Sequence, residues 1–444
     1  MLATRRRTVP AAASLLAAAL LAPAASGAEA PAPHEGQAVD VASTPVSTVP
    51  AAPPPAAAPL PAEPPRADRG SPATFTGAPG RGITVATEDG RLSLNLRGRI
   101  QVRDTASFQP RPTTNELNVK TVRLVFSGHT LTPDVRYNLQ LALGGNDFEA
   151  GSSSPIFDAW VEYTGLRDLN VRVGQFFVPF DRARTIREFA LQLVDRPQVI
   201  GELTLDRDVG LSFSSADLLG QGGRLAYNLG VFGGEGRSRF GGTRQGLLYV
   251  GRLALRPFGA FDDDVEGDLQ RLDRPRLALG VAGAYNQRTT RQRSTTGSAL
   301  ALGGVDYGHA AADAVFKYAG LSVLAEAVWR GSPTAFREGE AGGAAGGAPV
   351  REWTRSGWGY VLQAGYMVTG AVEVVGRWDQ LRAGGETDPA LLRLAHQQGR
   401  EVGAGANVYL NGHALKLQGD WAFLFGRDPT QGRHAVRLQL DASF

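Results

Sequence analysis

The sequence predicts an all-β protein: a transmembrane antiparallel β-barrel of about sixteen strands, preceded by a disordered Pro/Ala-rich segment. Three observations predict it. Apolar and polar residues alternate with period two from about residue 84 onwards. The connections between alternating segments are short and long by turns. And the final stretch, "RHAVRLQLDASF", keeps Val436, Leu438, Leu440, Ala442 and Phe444 in one apolar row to its last residue, where soluble chains usually fray. A closed barrel pairs its last strand with its first, so a strand reaching the C-terminus is what closure requires.

Taken in order, residues 1–28 read as a secretory signal peptide. Arg5, Arg6 and Arg7 precede an apolar run from Val9 to Ala22, and Ser26 and Ala28 sit at the small-residue positions before a cleavage site. The run is short for a membrane span, and no later segment offers 18 continuous apolar residues. Residues 29–82 carry repeated prolines and no apolar period, so they are expected to form a disordered periplasmic linker.

The barrel domain is expected over 83–444. Strands are predicted near 91–102, 117–128, 134–143, 156–164, 169–176, 206–214, 222–232, 247–256, 275–286, 309–318, 321–330, 356–367, 371–381, 400–410, 413–424 and 433–443. Tight turns such as Ala319-Gly320, Thr369-Gly370 and Asn411-Gly412 alternate with long Gly-, Arg- and Pro-rich loops. Tyr163, Trp329, Trp358, Trp378 and Trp421, near strand ends, suit interfacial girdles. A soluble sandwich would explain the alternation equally well, but the export signal, the even strand count, the loop asymmetry and the terminal Phe444 less well.

Composition excludes several functions. The chain has no cysteine, hence no disulfide framework and no thiolate metal site. Its 46 basic residues exceed its 43 acidic ones only through the three arginines of the signal, so the basic isoelectric point does not argue for nucleic acid. Residues 257–274 place Asp262, Asp264, Glu266 and Asp268 near a calcium-loop spacing, but Asp273 stands where such loops need glutamate. The segment is expected to be a solvated acidic loop, and no metal or cofactor is expected.

The lumen is where chemistry is expected. Inward-facing positions give Arg97, Arg99, Arg123, Arg136, Arg172, Arg224, Arg377 and Arg437, with Arg252, Arg276 and Lys416, against Asp158, Glu162, Asp208, Glu326, Glu373, Asp379, Asp420 and Asp441. A modest positive excess in a confined space concentrates anions, and guanidinium forks suit carboxylate and phosphate. After Phe176, Pro179 stops ladder pairing and about 28 residues follow before the next strand. This 177–205 loop, with Asp181, Arg182, Arg184, Arg187 and Glu188, is expected to fold inward and narrow the lumen.

The stretches "VRVGQFFVPF", "DRDVG", "PRLALGVAGAY" and "RLQLDASF" resemble the phosphate-selective porin O and P family. The resemblance implies a sixteen-stranded, homotrimeric outer-membrane channel, constricted by a long loop and inserted by machinery that reads the terminal Phe444. It implies outer-membrane lipid and small anionic or neutral solutes as partners, and no nucleic acid. Two departures stand out. The family commonly continues after Pro179-Phe180 with glycine and soon glutamate, whereas this chain has Asp181-Arg182. Phosphate-handling members use lysine clusters, whereas this chain has only Lys120, Lys317 and Lys416. The expected function is passive diffusion of small hydrophilic solutes with a mild anion, possible phosphate, preference. The alternatives are an electrically silent tethering barrel and a lipid hydrolase using His309 or His413.

Overall fold

The computed structural model describes residues 73–444 apart from 110–112, 146, 149–153, 240–245 and 341–347. The signal peptide and most of the linker lie outside the described residues. The linker's expected end does not: residues 73–82 belong to a hairpin of β1 (Ala73–Ala78) and β2 (Gly82–Thr87). Its reason is an open edge. β2 pairs with residues 93–96 of the first barrel strand, the part that the last strand does not reach.

Sixteen strands then close into one antiparallel sheet. They are β3 (Ser93–Phe108), β4 (Thr114–Thr130), β5 (Thr132–Ala142), β6 (Ile156–Leu166), β7 (Leu169–Phe177), β8 (Arg207–Ser215), β9 (Leu225–Phe232), β10 (Leu248–Leu255), β11 (Arg276–Thr289), β12 (Val305–Tyr318) and β13 (Leu321–Gly331). A small hairpin, β14 (Phe336–Glu340) and β15 (Pro349–Trp353), rises from a long loop. The barrel continues with β16 (Gly357–Met367), β17 (Val372–Ala383), β18 (Arg400–Tyr409), β19 (Leu415–Phe425) and β20 (Arg433–Ser443). Every predicted strand has its counterpart. The ladder β20–β3 closes the ring from His434 opposite Phe108 to Ser443 opposite Arg99. Beyond it, Phe444 and Gly98 exchange two backbone hydrogen bonds of 2.7 and 2.9 Å, and the Phe444 ring covers the space a Cβ at Gly98 would need.

The outward row is apolar and exposed: Leu253, Val281, Leu362 and Leu438 each turn half or more of their surface away from the protein. Trp329 and Trp358 lie directly opposite one another in that row. The buried apolar core therefore sits inside the barrel. There Phe180, Val199, Ile200 and Leu203, all from the loop after β7, pack against Leu248, Val315, Val328, Val361 and Leu381 of the wall. Each fully buried leucine or isoleucine contributes about 1.5–3 kcal/mol, so this loop is held as firmly as a domain core.

A second inward element was not anticipated. Residues 257–274, expected to be a solvated acidic loop, enter the lumen from the short-turn end. Asp263, Glu266 and Asp268 are buried. Asp263 accepts from Arg182 and Arg256, Glu266 from Gln363 and the backbone of Gln192, and Asp268 from the backbone N–H groups of Gly320 and Leu272. Lys317 Nζ donates to the carbonyls of Asp262 and Val265 at 2.7 and 2.6 Å. The acids are inside because lumen-facing donors wait for them. Among the described residues no cluster of three ligand-type side chains converges to hold a metal ion.

Candidate functional site

At its base the loop is closed by Val178, whose N–H donates to the Asp206 carbonyl (3.2 Å). From there the chain crosses the lumen. The loop first makes one turn, α1 (Arg182–Thr185), capped by Asp181, whose carboxylate accepts from Arg184 N at 2.8 Å. A 3₁₀ turn over Glu188–Ala190 and a short α2 (Gln198–Leu203) follow. Another helix, α3 (Pro389–Gln398), stands in the loop after β17 and brings Leu391 into the core.

Four anchors hold the loop against the β12–β20 wall. Arg182 donates to Asp313 of β12 at 2.6 Å and to Asp263 at 3.0 Å, while its backbone N–H and that of Ala183 meet the Glu326 carboxylate of β13 at 2.7 and 2.8 Å. Gln192 donates to Ser322 at 2.8 Å and Glu373 at 2.5 Å and accepts from Gln363 at 3.0 Å. Asp195 is gripped by Arg103 at 2.8 Å and Arg437 at 2.6 Å, and its carbonyl accepts from Arg377 at 2.7 Å. Glu202 accepts from the fully buried Arg330 at 2.8 Å and from Arg355 at 3.1 Å. Two wall glycines make this approach possible: a Cβ at Gly359 would strike Val199, and one at Gly365 would strike the Gln192 amide.

With one wall covered, the open path runs along β3–β8. A cavity of about 250 Å³ lies there, lined by Arg97, Arg99, Arg123, Arg172 and Arg207 from the wall and by Arg184, Arg187 and Arg196 from the loop. Among the described residues its lining carboxylates are Asp158 and Glu188. Asp158 is paired with Arg207 at 2.7 Å, and Glu188 lies 3.7 Å from Arg99 and 3.8 Å from Arg123. A second space of about 470 Å³ shares Arg184, Glu188 and Arg196 with the first. Those three residues thus stand at the neck between the two spaces.

The eight arginines expected to line the pore divide. Arg97, Arg99, Arg123 and Arg172 face the cavity. Arg99 is braced by Asp441 (2.9 and 2.6 Å), Arg123 by Asp147, and Arg172 by Glu162 (3.0 Å). Arg377 and Arg437 also point inward, but they hold the loop and the carboxylates Glu401 and Asp420 instead of facing the path. Arg136 is exposed, in register with Glu162 on β6 near the short-turn end. Arg224 is exposed and precedes β9, so it lies in a turn rather than on the wall. Sequence reasoning missed Arg207 and Arg103. Alternation that points Asp208 inward points Arg207 outward, yet at the foot of the loop both are enclosed; Arg103 lies just beyond the predicted end of its strand.

The loop's charges are set by these contacts. Burial raises the Glu188 and Asp195 carboxyls, but guanidiniums outweigh it: Arg123 and Arg99 hold Glu188 down at about 2, and Arg437 and Arg103 hold Asp195 at about 2. Asp206 is likewise held at about 2 by Arg184 and Arg207 against its own burial. Asp181 goes the other way, pushed up to about 6 by burial. The three depressed acids stabilise the docked loop above their unfolded values near 4, and that stabilisation is lost as pH falls through about 2. Asp181 has the opposite sign: its contribution is complete below about 4 and fades as pH rises through about 6. Loop docking is therefore expected to be tightest near pH 4–5, and open-channel current noise to rise steeply below about pH 3. Flat noise from pH 7 to 2 would contradict this assignment. Because Asp195 keeps 44 % of its side chain exposed, high salt should weaken its anchor first.

Of the histidines considered for hydrolysis, His309 is enclosed and His413 is half-buried at the edge of the cavity. His309 Nε2 lies 3.0 Å from Ser294 Oγ, but Ser294 is fully buried and His309 Nδ1 has no carboxylate partner among the described residues, so the pair is out of reach of a substrate. His413, in the turn before β19, is lowered to about 4 by burial and Lys416 and stays neutral.

A closed sixteen-strand barrel with a loop folded into its lumen is a porin architecture, and residues 93–422 match the family model described as phosphate-selective porin O and P. The chain belongs to that family. This porin also resembles solved barrels. OmpF of Salmonella typhi, solved in complex with daunomycin, is 13% identical with a TM-score of 0.53, the match covering 80% of this chain and 98% of that one. The outer membrane channel DcaP of Acinetobacter baumannii is 14% identical (TM-score 0.52; 81% and 99% covered). OprB of Pseudomonas putida, in its high-pH structure, is 10% identical (TM-score 0.51; 79% and 94% covered). These likenesses concern the fold. No curated protein matches the chain. The protein is thus an outer-membrane porin, and the solute selectivity of its lumen is a separate question.

Proposed function

We propose that this porin passes small hydrophilic solutes by passive diffusion, with a mild preference for anions, along the β3–β8 wall. The observation that carries the reading is the imbalance of the cavity lining, eight guanidiniums against two carboxylates that are themselves paired. In a narrow, low-dielectric passage such an excess raises local anion concentration and repels cations. Arg97, Arg99, Arg123, Arg172 and Arg207 form the fixed side of the path, and Arg184, Arg187 and Arg196 the loop side. Arg182 positions the loop. Phosphate shares in the preference as one small anion among others.

In the same reading, residues 1–28 are removed on export, residues 29–72 form a periplasmic spacer, Phe444 presents the chain to the insertion machinery, and three copies assemble. The test is the reversal potential of the refolded protein in a planar bilayer under a potassium chloride gradient. A potential displaced toward chloride, moving toward zero in Arg97→Gln/Arg123→Gln, is expected. A potassium-side potential would overturn the anion preference, and silence from inserted protein would favour a tethering role.

A further inference from the structure

The cavity is not merely basic; aromatic rings interleave with its arginines. The guanidinium of Arg207 lies between the Phe157 and Phe177 rings, 3.6 Å from each centroid. Arg123 covers Phe157 from 4.2 Å, and Arg172 covers Trp160 from 4.2 Å and Phe176 from 5.4 Å. Arg184 and Arg99 lie 5.6 and 5.7 Å from Phe177 and Phe189. Stacking of this kind occupies guanidinium faces and leaves their N–H edges for a planar acceptor. It also strips water from the sides of the cations, which a bare inorganic ion does not need and an apolar body exploits.

Among the described residues three lining arginines make no ion pair; Arg196 is held by the carbonyls of Ala183 and Ile186, which leaves Arg97 and Arg187. Arg97, from the wall, has a buried Nε without a partner, and Arg187, from the loop, is exposed into the same cavity. Burial and the neighbouring Arg207 and Arg172 lower the Arg187 guanidinium, against a pull from Asp158, as befits a cation lacking its counter-ion.

We propose that this cavity is a binding site for single-ring aromatic carboxylates, with the carboxylate held between Arg97 and Arg187 and the ring resting among Phe157, Trp160 and Phe177. The proposal rests on the anion-preferring pore above and adds the solute class. An inorganic anion gains only the charge term; an aromatic acid gains the same term plus ring packing against Phe157, Trp160 and Phe177 and burial of its apolar face. A neutral ring loses the charge term, and acetate the ring packing.

The experiment is current block of the wild-type channel in symmetric potassium chloride, with benzoate, acetate, phosphate and benzyl alcohol added separately. Benzoate should reach half-block at about ten-fold lower concentration than acetate or phosphate, with benzyl alcohol inert. In Arg97→Gln/Arg187→Gln that advantage should collapse to within about two-fold of acetate, and Phe157→Leu should lower it. Equal block by benzoate and acetate, or stronger block by phosphate, overturns the proposal. The reversal potential of the same channels keeps the two readings apart: chloride selectivity without benzoate preference removes only the binding site, whereas potassium selectivity removes both.

Discussion

Excising residues 261–272 should raise single-channel conductance by roughly two-fold or more and move the reversal potential toward zero. This segment occupies lumen volume on the side away from the arginine wall, and it also clamps the constriction loop. Its Glu266 N–H donates to the Ala190 carbonyl at 3.2 Å, its Glu266 carboxylate accepts from Gln192 N at 2.6 Å, and Val265 packs on the Ile186–Leu191 cluster. Without it, a second path opens beside Lys317 and Gln363, residues that now have buried partners there. That path lacks the guanidinium excess, which is why selectivity should fall as conductance rises. The N-terminal side of the excision stays fixed, because Arg256 and Ala260 remain tied to Arg224 and Gly222 by backbone bonds of 2.7 and 2.9 Å. A milder Asp263→Asn/Glu266→Gln variant should give the intermediate result, more frequent excursions to a larger conductance. Unchanged conductance in both variants would mean that the segment is not part of the constriction.

Replacing Arg182 with methionine should cost loop docking about 3 kcal/mol, within the range for breaking a buried ion pair by removing one partner. Its guanidinium bridges the wall and the second inward segment, and its loss leaves Asp313 and Asp263 each with one arginine instead of two, Arg252 and Arg256. Glu326 and Asp181 lie in the same buried cluster, so negative charge accumulates where burial already disfavours it. The expected readout is protease cleavage within 178–206 in the folded, inserted barrel, together with a noisier and larger current. Adding Asp263→Asn should recover part of the loss, since it removes one stranded charge, and the non-additivity measures the pair directly. A loop that stays protected in Arg182→Met would show that the apolar contacts of Phe180, Ile200 and Leu203 suffice.

The wall of this protein was legible because a strand's two faces are a local property. The alternation in 433–443 predicts an outward Leu438 and an inward Arg437, and both are so placed. The inward loop was legible for an equally local reason, a proline ending a strand and too many residues before the next. What a face does not specify is a partner. Arg377 and Arg437 look like Arg97 and Arg99 by period, yet the first two grip Asp195 from 182 and 242 residues away while Arg97 makes no ion pair.

The acidic segment 257–274 shows the same limit from the other side. Its charge density reads as solvation, and only the closed barrel supplies Arg182, Lys317 and Gln363 at the positions where those acids can be buried with partners. By itself, then, the sequence determined the barrel, its strand count, its lipid-facing row and the existence of a constriction, because each follows from short-range period and turn chemistry. The tertiary structure alone decided which wall stays open, which arginines face the path and which are engaged in holding the loop, because those outcomes depend on charge pairs formed across the lumen between residues far apart in the chain.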